Sequence, residues 1–225
     1  MEKDDWLAWA KRNENPELKF YRCKPEWTDI LATELRQIGV SNIHRSNKLT
    51  ISNGNCRIRF QLDEDFVTVC SGKLELKLMV QDLGHLRSII ATVYEKLDDY
   101  TIEEVFEWLK SLERPGLIPY QEYRRREFES FLKWLKTRHP SVVILEAGGD
   151  VEKALLIRSE EFEVLFLVFD RFIDYESNKV LGCVYCWDYE YCKTLKTLFT
   201  LLTSDISDFS KVLEYAEEHD RSAPA

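Results

Sequence analysis

Three charged residues in the first half of the chain have the types and spacing that metal-dependent catalysis needs. Asp63 ends an alternating segment, and Glu75 forms an E-x-K pair with Lys77 further along. Alternate residues of a strand share one face, so we expect all three side chains on one face of a sheet. Two carboxylates can hold a divalent metal beside a lysine near the activated water, as in many nucleases. The alternative is a solvated face, because so short a motif often occurs by chance.

Cysteines are the second candidate group. Cys183 and Cys186, with Cys192 beyond them, suggest a zinc site at first sight. Structural zinc needs four converging ligands, usually in two closely spaced pairs, and the other three cysteines are scattered. The segment around Cys183 also alternates as a strand, in which residues three apart face opposite sides. We therefore expect packed thiols here, and neither a metal nor a cofactor.

A third candidate is the basic run Arg124-Arg125-Arg126, which lies in a predicted helix. Such a run could receive a phosphate or an acidic partner. Glu122, Glu127 and Glu129 flank these arginines, however, and neighbours three or four apart on a helix pair readily. The pattern favours a solvated, salt-bridged face.

Composition limits the classes of protein to which the chain can belong. The 225 residues carry 31 basic and 40 acidic side chains, for a net charge of −9. This acidity disfavours direct binding of duplex nucleic acid. The 44% of apolar residues excludes a disordered chain, and no apolar run is long enough for a membrane span. An N-terminus without a secretory signal and six cysteines favour the reducing cytoplasm.

The chain contains an internal duplication. The segment 49–82 aligns without a gap with the segment 155–188, at a constant shift of 106 residues. Matching pairs include Leu49 and Leu155, Ile51 and Ile157, Phe60 and Phe166, and Asp82 and Asp188. Flanking helical segments agree at shifts of 107 and 99 residues. The pattern predicts two tandem copies of one unit, at 1–114 and 115–225.

Each copy is predicted to have the same order of elements. Two helices precede four or five short strands, and a further helix closes the sheet. The helices are expected at about 4–13, 27–39 and 83–97, and again at 102–113, 120–138 and 190–202. Thr101 and Glu104 predict a capping box, while Gly54 and Gly72 mark hairpin turns. The fold class is therefore α+β, with a helix–helix–antiparallel β-meander–helix unit in two tandem copies.

The two copies differ on one face of the sheet. The strand at 57–62 alternates apolar and polar residues, which predicts one buried and one solvated face. In the second copy the apolar positions persist, but Arg59 becomes Leu165 and Gln61 becomes Leu167. The last strand changes in the same way. The outward residues that become apolar are Leu165, Leu167, Phe169, Leu181, Cys183, Tyr185 and Trp187.

Two explanations account for this apolar face. The first copy or the helix at 120–138 could cover it inside the chain, because sheets buried on both faces are common. Alternatively, it docks another protein or a second copy of this chain. Leu165, Leu167, Phe169, Leu181, Tyr185 and Trp187 would then be the contact residues, and aromatic types are enriched at such contacts.

These patterns support two hypotheses about function. The first is a non-catalytic binding or accessory subunit that docks a protein partner, or a second copy, through the second sheet. The alternative is a metal-dependent enzyme acting on nucleic acid through Asp63, Glu75 and Lys77. The absence of any nucleotide-binding or hydrolase motif in the sequence favours the first.

Overall fold

A computed structural model describes most of the chain. The described residues are 2–12, 18–54, 56–64, 66–112, 116–148, 152–178, 180–186, 189–204 and 210–221. In these ranges the helices are α1 (Lys3–Arg12), α2 (Trp27–Gln37), α3 (Leu83–Asp99), α4 (Ile102–Lys110), α5 (Tyr120–Arg138), α6 (Tyr191–Thr203) and α7 (Ser210–Arg221). No helix in this part of the chain combines the length and apolarity needed to cross a bilayer.

The strands form two large antiparallel sheets and one short parallel pair. The strands are β1 (Phe20–Tyr21), β2 (Asn42–Arg45), β3 (Lys48–Asn53), β4 (Cys56–Leu62), β5 (Val67–Ser71), β6 (Leu74–Leu78), β7 (Ile118–Pro119), β8 (Val143–Gly148), β9 (Lys153–Arg158), β10 (Glu163–Val168), β11 (Phe172–Ser177) and β12 (Leu181–Tyr185). The first sheet runs in the order β2-β3-β4-β5-β6, and the second in the order β8-β9-β10-β11-β12. Each is a five-stranded meander, which confirms the predicted α+β fold with two similar halves.

The chain divides into two compact units, Met1–Tyr120 and Gln121–Ala225. In the first unit, α1 and α4 pack against α3, and α4 also contacts β6. In the second unit, α7 stands in the equivalent place and contacts α6 and β12. The parallel pair β1–β7 belongs to the first unit.

Local sequence signals account for several element boundaries. The Thr101 side chain accepts from the backbone N–H of Glu104, whose carboxylate accepts from the Thr101 backbone, so the predicted capping box is confirmed. Gly54 and Gly72 adopt φ values of 56° and 58° in the β3–β4 and β5–β6 turns. Glycine adopts this left-handed conformation without the steric cost of a side chain, so both predicted hairpin turns are confirmed.

Each sheet buries one face in its own core. In the first unit, Ile58, Phe60 and Leu62 of β4 are fully buried, as the alternation predicts. In the second unit, the buried Phe166 of β10 meets Phe131 of α5 edge-on, with ring centroids 6.3 Å apart. We call this buried side the inner face of each sheet, and the opposite side the outer face.

Candidate functional site

The outer face of the second sheet is largely apolar, with two carboxylates on β11. Cross-strand register places Leu145, Leu156, Leu165, Glu176 and Leu181 in one row. The next row contains Ala147, Ala154, Leu167, Asp174 and Cys183. We call these ten residues, together with Val143, Phe169, Phe172 and Tyr185, the second outer face. Eleven of these fourteen residues are aliphatic or aromatic, a composition typical of a contact surface. The row that begins at Val143 continues into the exposed ion pair of Arg158 with Glu163.

Several of these apolar side chains are open to solvent. Leu181 is 78% exposed, Leu145 57% and Val143 56%, whereas Leu165 and Leu167 are half-buried. The prediction that helix 120–138 could cover this face is wrong. This helix, α5, packs instead on the inner face, where its Phe131 contacts Phe166.

A groove with a volume of about 430 Å³ opens on the second outer face. Its lining includes Leu165 and Leu167 on β10 and Leu181 and Cys183 on β12. The carboxylates of Asp174 and Glu176 lie between these two strands, on β11. Neither carboxylate has a hydrogen-bond or ion-pair partner among the described residues. The groove therefore has apolar walls and an unneutralised acidic stripe.

An aromatic cluster lies at one end of the same face. Phe169 stacks on Phe172 with ring centroids 4.5 Å apart, and Phe172 lies 6.3 Å from Tyr185. The sequence predicts Phe169 and Tyr185 as contact residues; Phe172, which it does not single out, belongs to the same cluster. The predicted contact residue Trp187 lies outside the described residues.

β8 and β9 contribute a part of this face that the sequence did not predict. Val143 and Leu145 alternate in β8, and Leu156 occupies the place of Thr50 at the same shift of 106 residues. That shift was the signal that could have identified Leu156. No such signal marked β8, because the number of residues between β8 and β9 differs from that between β2 and β3.

A tyrosine on the inner face lies directly under the groove. Tyr175 of β11 is opposite Gly182 of β12, and a Cβ added at position 182 would lie 2.7 Å from the tyrosine Cζ. The ring thus occupies the space that a side chain at 182 would need. Burial, with a smaller contribution from Cys183, raises the pKa of the Tyr175 hydroxyl.

The three candidate catalytic residues share the outer face of the first sheet but are engaged separately. Asp63 accepts a hydrogen bond of 3.5 Å from the Thr68 hydroxyl. Lys77 lies with its ammonium 4.3 Å from the centre of the Phe66 ring, while Glu75 is opposite Cys70. No group of three or more His, Cys, Asp or Glu side chains in the described ranges could hold a metal ion. The nuclease hypothesis stays a prediction, and no contact seen here favours it.

The basic run on α5 divides into two roles. Arg125 and Arg126 are exposed and pair with Glu122, at 2.5 Å and 2.8 Å, and these bonds lower the pKa of Glu122. This agrees with a solvated, salt-bridged face. For Arg124 the prediction is wrong: its side chain is buried, and Nη2 donates to the Val168 carbonyl oxygen at 2.6 Å. The helix turns this arginine toward the end of β10, where a carbonyl needs a donor.

The cysteine pair lies as expected for a strand. Cys183 is exposed on the outer face and Cys186 is buried on the opposite side. The prediction of packed thiols is therefore wrong for Cys183, whose strand position turns it away from the core. None of the six cysteines forms a disulfide.

The chain matches no protein-family model, no curated protein and no solved structure. Function therefore has to be inferred from the chemistry of the surfaces themselves. The second outer face contains more of the functional residues predicted from the sequence than any other candidate site described above.

Proposed function

We propose that the protein is a non-catalytic docking subunit, and that its second outer face binds a partner protein through an apolar segment carrying basic side chains. The observation that carries this proposal is the groove, in which Asp174 and Glu176 lie without partners between leucines of β10 and β12. The cytoplasm remains the proposed compartment, because free thiols such as these are typical of a reducing environment.

The apolar side chains supply the free energy of docking. Burying a fully exposed leucine contributes roughly 1.5–3 kcal/mol, and Leu181, at 78% exposure, approaches that state. Leu145 and Val143 add to this apolar area. The half-buried aromatic cluster of Phe169, Phe172 and Tyr185 provides rigid contact surface of the kind common at binding hot spots.

The two carboxylates specify the charge of the partner. An acidic pair inside an apolar groove loses hydration when the groove is covered, which is unfavourable unless a cation compensates. Asp174 and Glu176 lie two residues apart on one strand, so their Cα atoms are about 6.8 Å apart. Side chains four apart on a helix have a similar spacing of about 5–6 Å. An amphipathic helix with two lysines or arginines at that spacing, flanked by apolar residues, therefore fits the groove.

A second copy of this chain fits less well. Two identical faces meeting about a two-fold axis would bring four carboxylates into one apolar interface. Like charges facing each other across an interface are strongly unfavourable. Charge complementarity thus favours a different protein over self-association.

Selection of peptides from a random displayed library, with the full chain as bait, tests this proposal. The enriched peptides should combine apolar residues with lysine or arginine. Leu181→Glu should weaken their binding at least about tenfold, because it places a carboxylate against their apolar side. Asp174→Asn combined with Glu176→Gln should also weaken peptide binding, because the ion pairs between these carboxylates and the peptide's lysines or arginines are lost.

The matched control is Leu213→Glu, which changes another exposed leucine, 55% exposed, on α7. It should leave peptide binding unchanged. Enriched peptides that lack cations, or that bind Leu181→Glu as well as the unaltered chain, would contradict the proposal. Sedimentation that shows a dimer, converted to a monomer by Leu181→Glu, would assign the face to a second copy instead.

A further inference from the structure

The outer face of the first sheet has the opposite chemistry. Its two central rows, read across β2 to β6, contain Arg45, Lys48, Gln61, Thr68 and Lys77, and then Ile43, Thr50, Arg59, Cys70 and Glu75. Ser52 and Arg57 form a further pair beside Thr50 and Arg59. We call these twelve residues the first outer face. It carries five cations, although the whole chain has a net charge of −9.

Four of the cations form one cluster on three adjacent strands. Arg45 of β2 is directly opposite Lys48 of β3, while Arg57 and Arg59 alternate along β4. All four side chains are exposed, and none has an ion-pair partner within the described ranges. Two acidic residues share this side of the sheet, Glu75 on β6 and Asp63 directly after β4, and within the described ranges neither forms an ion pair with the cluster.

The cluster is unfavourable for the isolated fold. Like charges directly opposite each other on neighbouring strands are destabilising, as Arg45 and Lys48 are. The chain has 40 acidic residues, and several of its arginines pair with them, as Arg125 and Arg126 do with Glu122. An unneutralised cluster in such a chain indicates that an anion from outside completes it.

The neighbours of the cations favour a phosphate backbone over an acidic protein. Thr50, Ser52 and Gln61 lie between them, and hydroxyls and amides are common donors to phosphate oxygens. A protein interface needs an apolar centre, whereas the apolar Ile43 of this face lies on the edge strand β2.

We infer that the first outer face binds the phosphate backbone of a single-stranded nucleic acid, without reading its bases. The four clustered cations neutralise successive phosphates, while the hydroxyls and the Gln61 amide donate hydrogen bonds. Aromatic stacking, which gives single-strand binders much of their affinity, has no platform within the cluster. Binding is therefore electrostatic, independent of base sequence and strongly weakened by salt. A duplex is a poorer ligand, since its denser charge meets the net negative charge of the remaining surface.

Fluorescence anisotropy of the full chain with labelled oligothymidylate of roughly 20 nucleotides tests this inference, with a mixed-sequence strand and a duplex of equal length beside it. The association constant should fall as the salt concentration rises from about 50 to about 200 mM. In a plot of its logarithm against the logarithm of salt concentration, each neutralised phosphate should contribute about −0.7 to the slope. Arg57→Glu with Arg59→Glu should weaken binding and reduce this slope by at least about 1.4. Both positions are exposed, so the fold should tolerate the change.

The matched control is Lys133→Glu with Lys136→Glu, which changes net charge equally at exposed positions of α5. It should retain binding. No binding by the unaltered chain at the lowest salt, equal loss in both variants, or tighter binding of the duplex would overturn the inference. It would also be overturned by a self-association that Arg57→Glu with Arg59→Glu abolishes, without oligonucleotide binding. That result would show that the cluster meets the acidic groove of a second copy.

Discussion

At the scale of single residues, the two copies distribute side-chain volume differently between two neighbouring strands. The pair Val69 and Leu76 on β5 and β6 of the first unit is replaced at equivalent positions by Tyr175 and Gly182. A larger side chain on one strand thus accompanies a smaller one on the next. Cores tolerate changes of this kind when the total volume is conserved. The exchange also explains why a glycine interrupts an otherwise apolar strand.

This exchange predicts that Gly182→Ala is destabilising, because its Cβ would collide with the Tyr175 ring. Overpacking of this kind costs about 1–3 kcal/mol in the free energy of unfolding. Tyr175→Val should relieve the collision, so that the double variant loses less than the two single changes together. Urea denaturation of the four proteins of this cycle measures the coupling. Additive effects would show that the ring moves aside freely and that the exchange has no energetic role.

At the scale of elements, the boundary of α4 depends on a reciprocal pair of hydrogen bonds. Thr101 accepts from the Glu104 N–H, and the Glu104 carboxylate accepts from the Thr101 N–H at 2.8 Å. These bonds lower the pKa of the Glu104 carboxyl. Because α4 contacts both α3 and β6, its first turn helps to fix the last helix on the first unit.

Thr101→Ala should therefore lower the free energy of unfolding by about 1 kcal/mol near neutral pH. Since the folded pKa of Glu104 lies below its unfolded value of 4.5, the contribution of its carboxylate is present above that pH. It is lost as the pH falls through the folded pKa. The difference between Thr101→Ala and the unaltered chain should shrink in acid. Urea denaturation at neutral and acidic pH measures this difference, with Thr200→Ala at an exposed position of α6 as a control. A difference that stays constant with pH would show that Glu104 does not contribute.

At the scale of the whole molecule, two units share a fold and differ in surface chemistry. Phe60 and Phe166 occupy equivalent buried positions in the two sheets. The outer faces, in contrast, are cationic on the first sheet and apolar with an acidic stripe on the second. This separation of a retained core from changed surfaces is what the two proposals require, in which one unit binds a partner protein and the other a nucleic-acid strand.

The presence of a separate core in each unit predicts separate responses to core truncation. Phe60→Ala and Phe166→Ala should each destabilise by about 3–5 kcal/mol the unit that carries the change. Hydrogen exchange followed by mass spectrometry should show faster exchange in 2–120 for the first variant and in 121–221 for the second. Equal acceleration throughout the chain in either variant would show that the two units unfold as one.

The sequence predicted the fold better than it predicted the surfaces. Alternation in β4 and the constant shift between copies identified the sheets and placed Leu165 and Leu167 outward, since both signals act along the chain. The cationic cluster stayed hidden because Arg45, Lys48 and Arg59 become neighbours only through cross-strand register. The burial of Arg124 depends on where β10 ends against α5. Contacts of this kind arise from tertiary packing and not from local pattern.

The position of β8 has a consequence for handling the protein. It is one of the two edge strands of the second sheet, it contains no proline, and its charged residue Glu146 is paired with Lys153 at 3.0 Å. Edges of this kind recruit strands from neighbouring molecules, and Val143 and Leu145 next to this edge are open to solvent. We expect the protein produced alone to aggregate at high concentration. A docked partner that covers these side chains would then prevent aggregation and raise the yield of protein on co-expression.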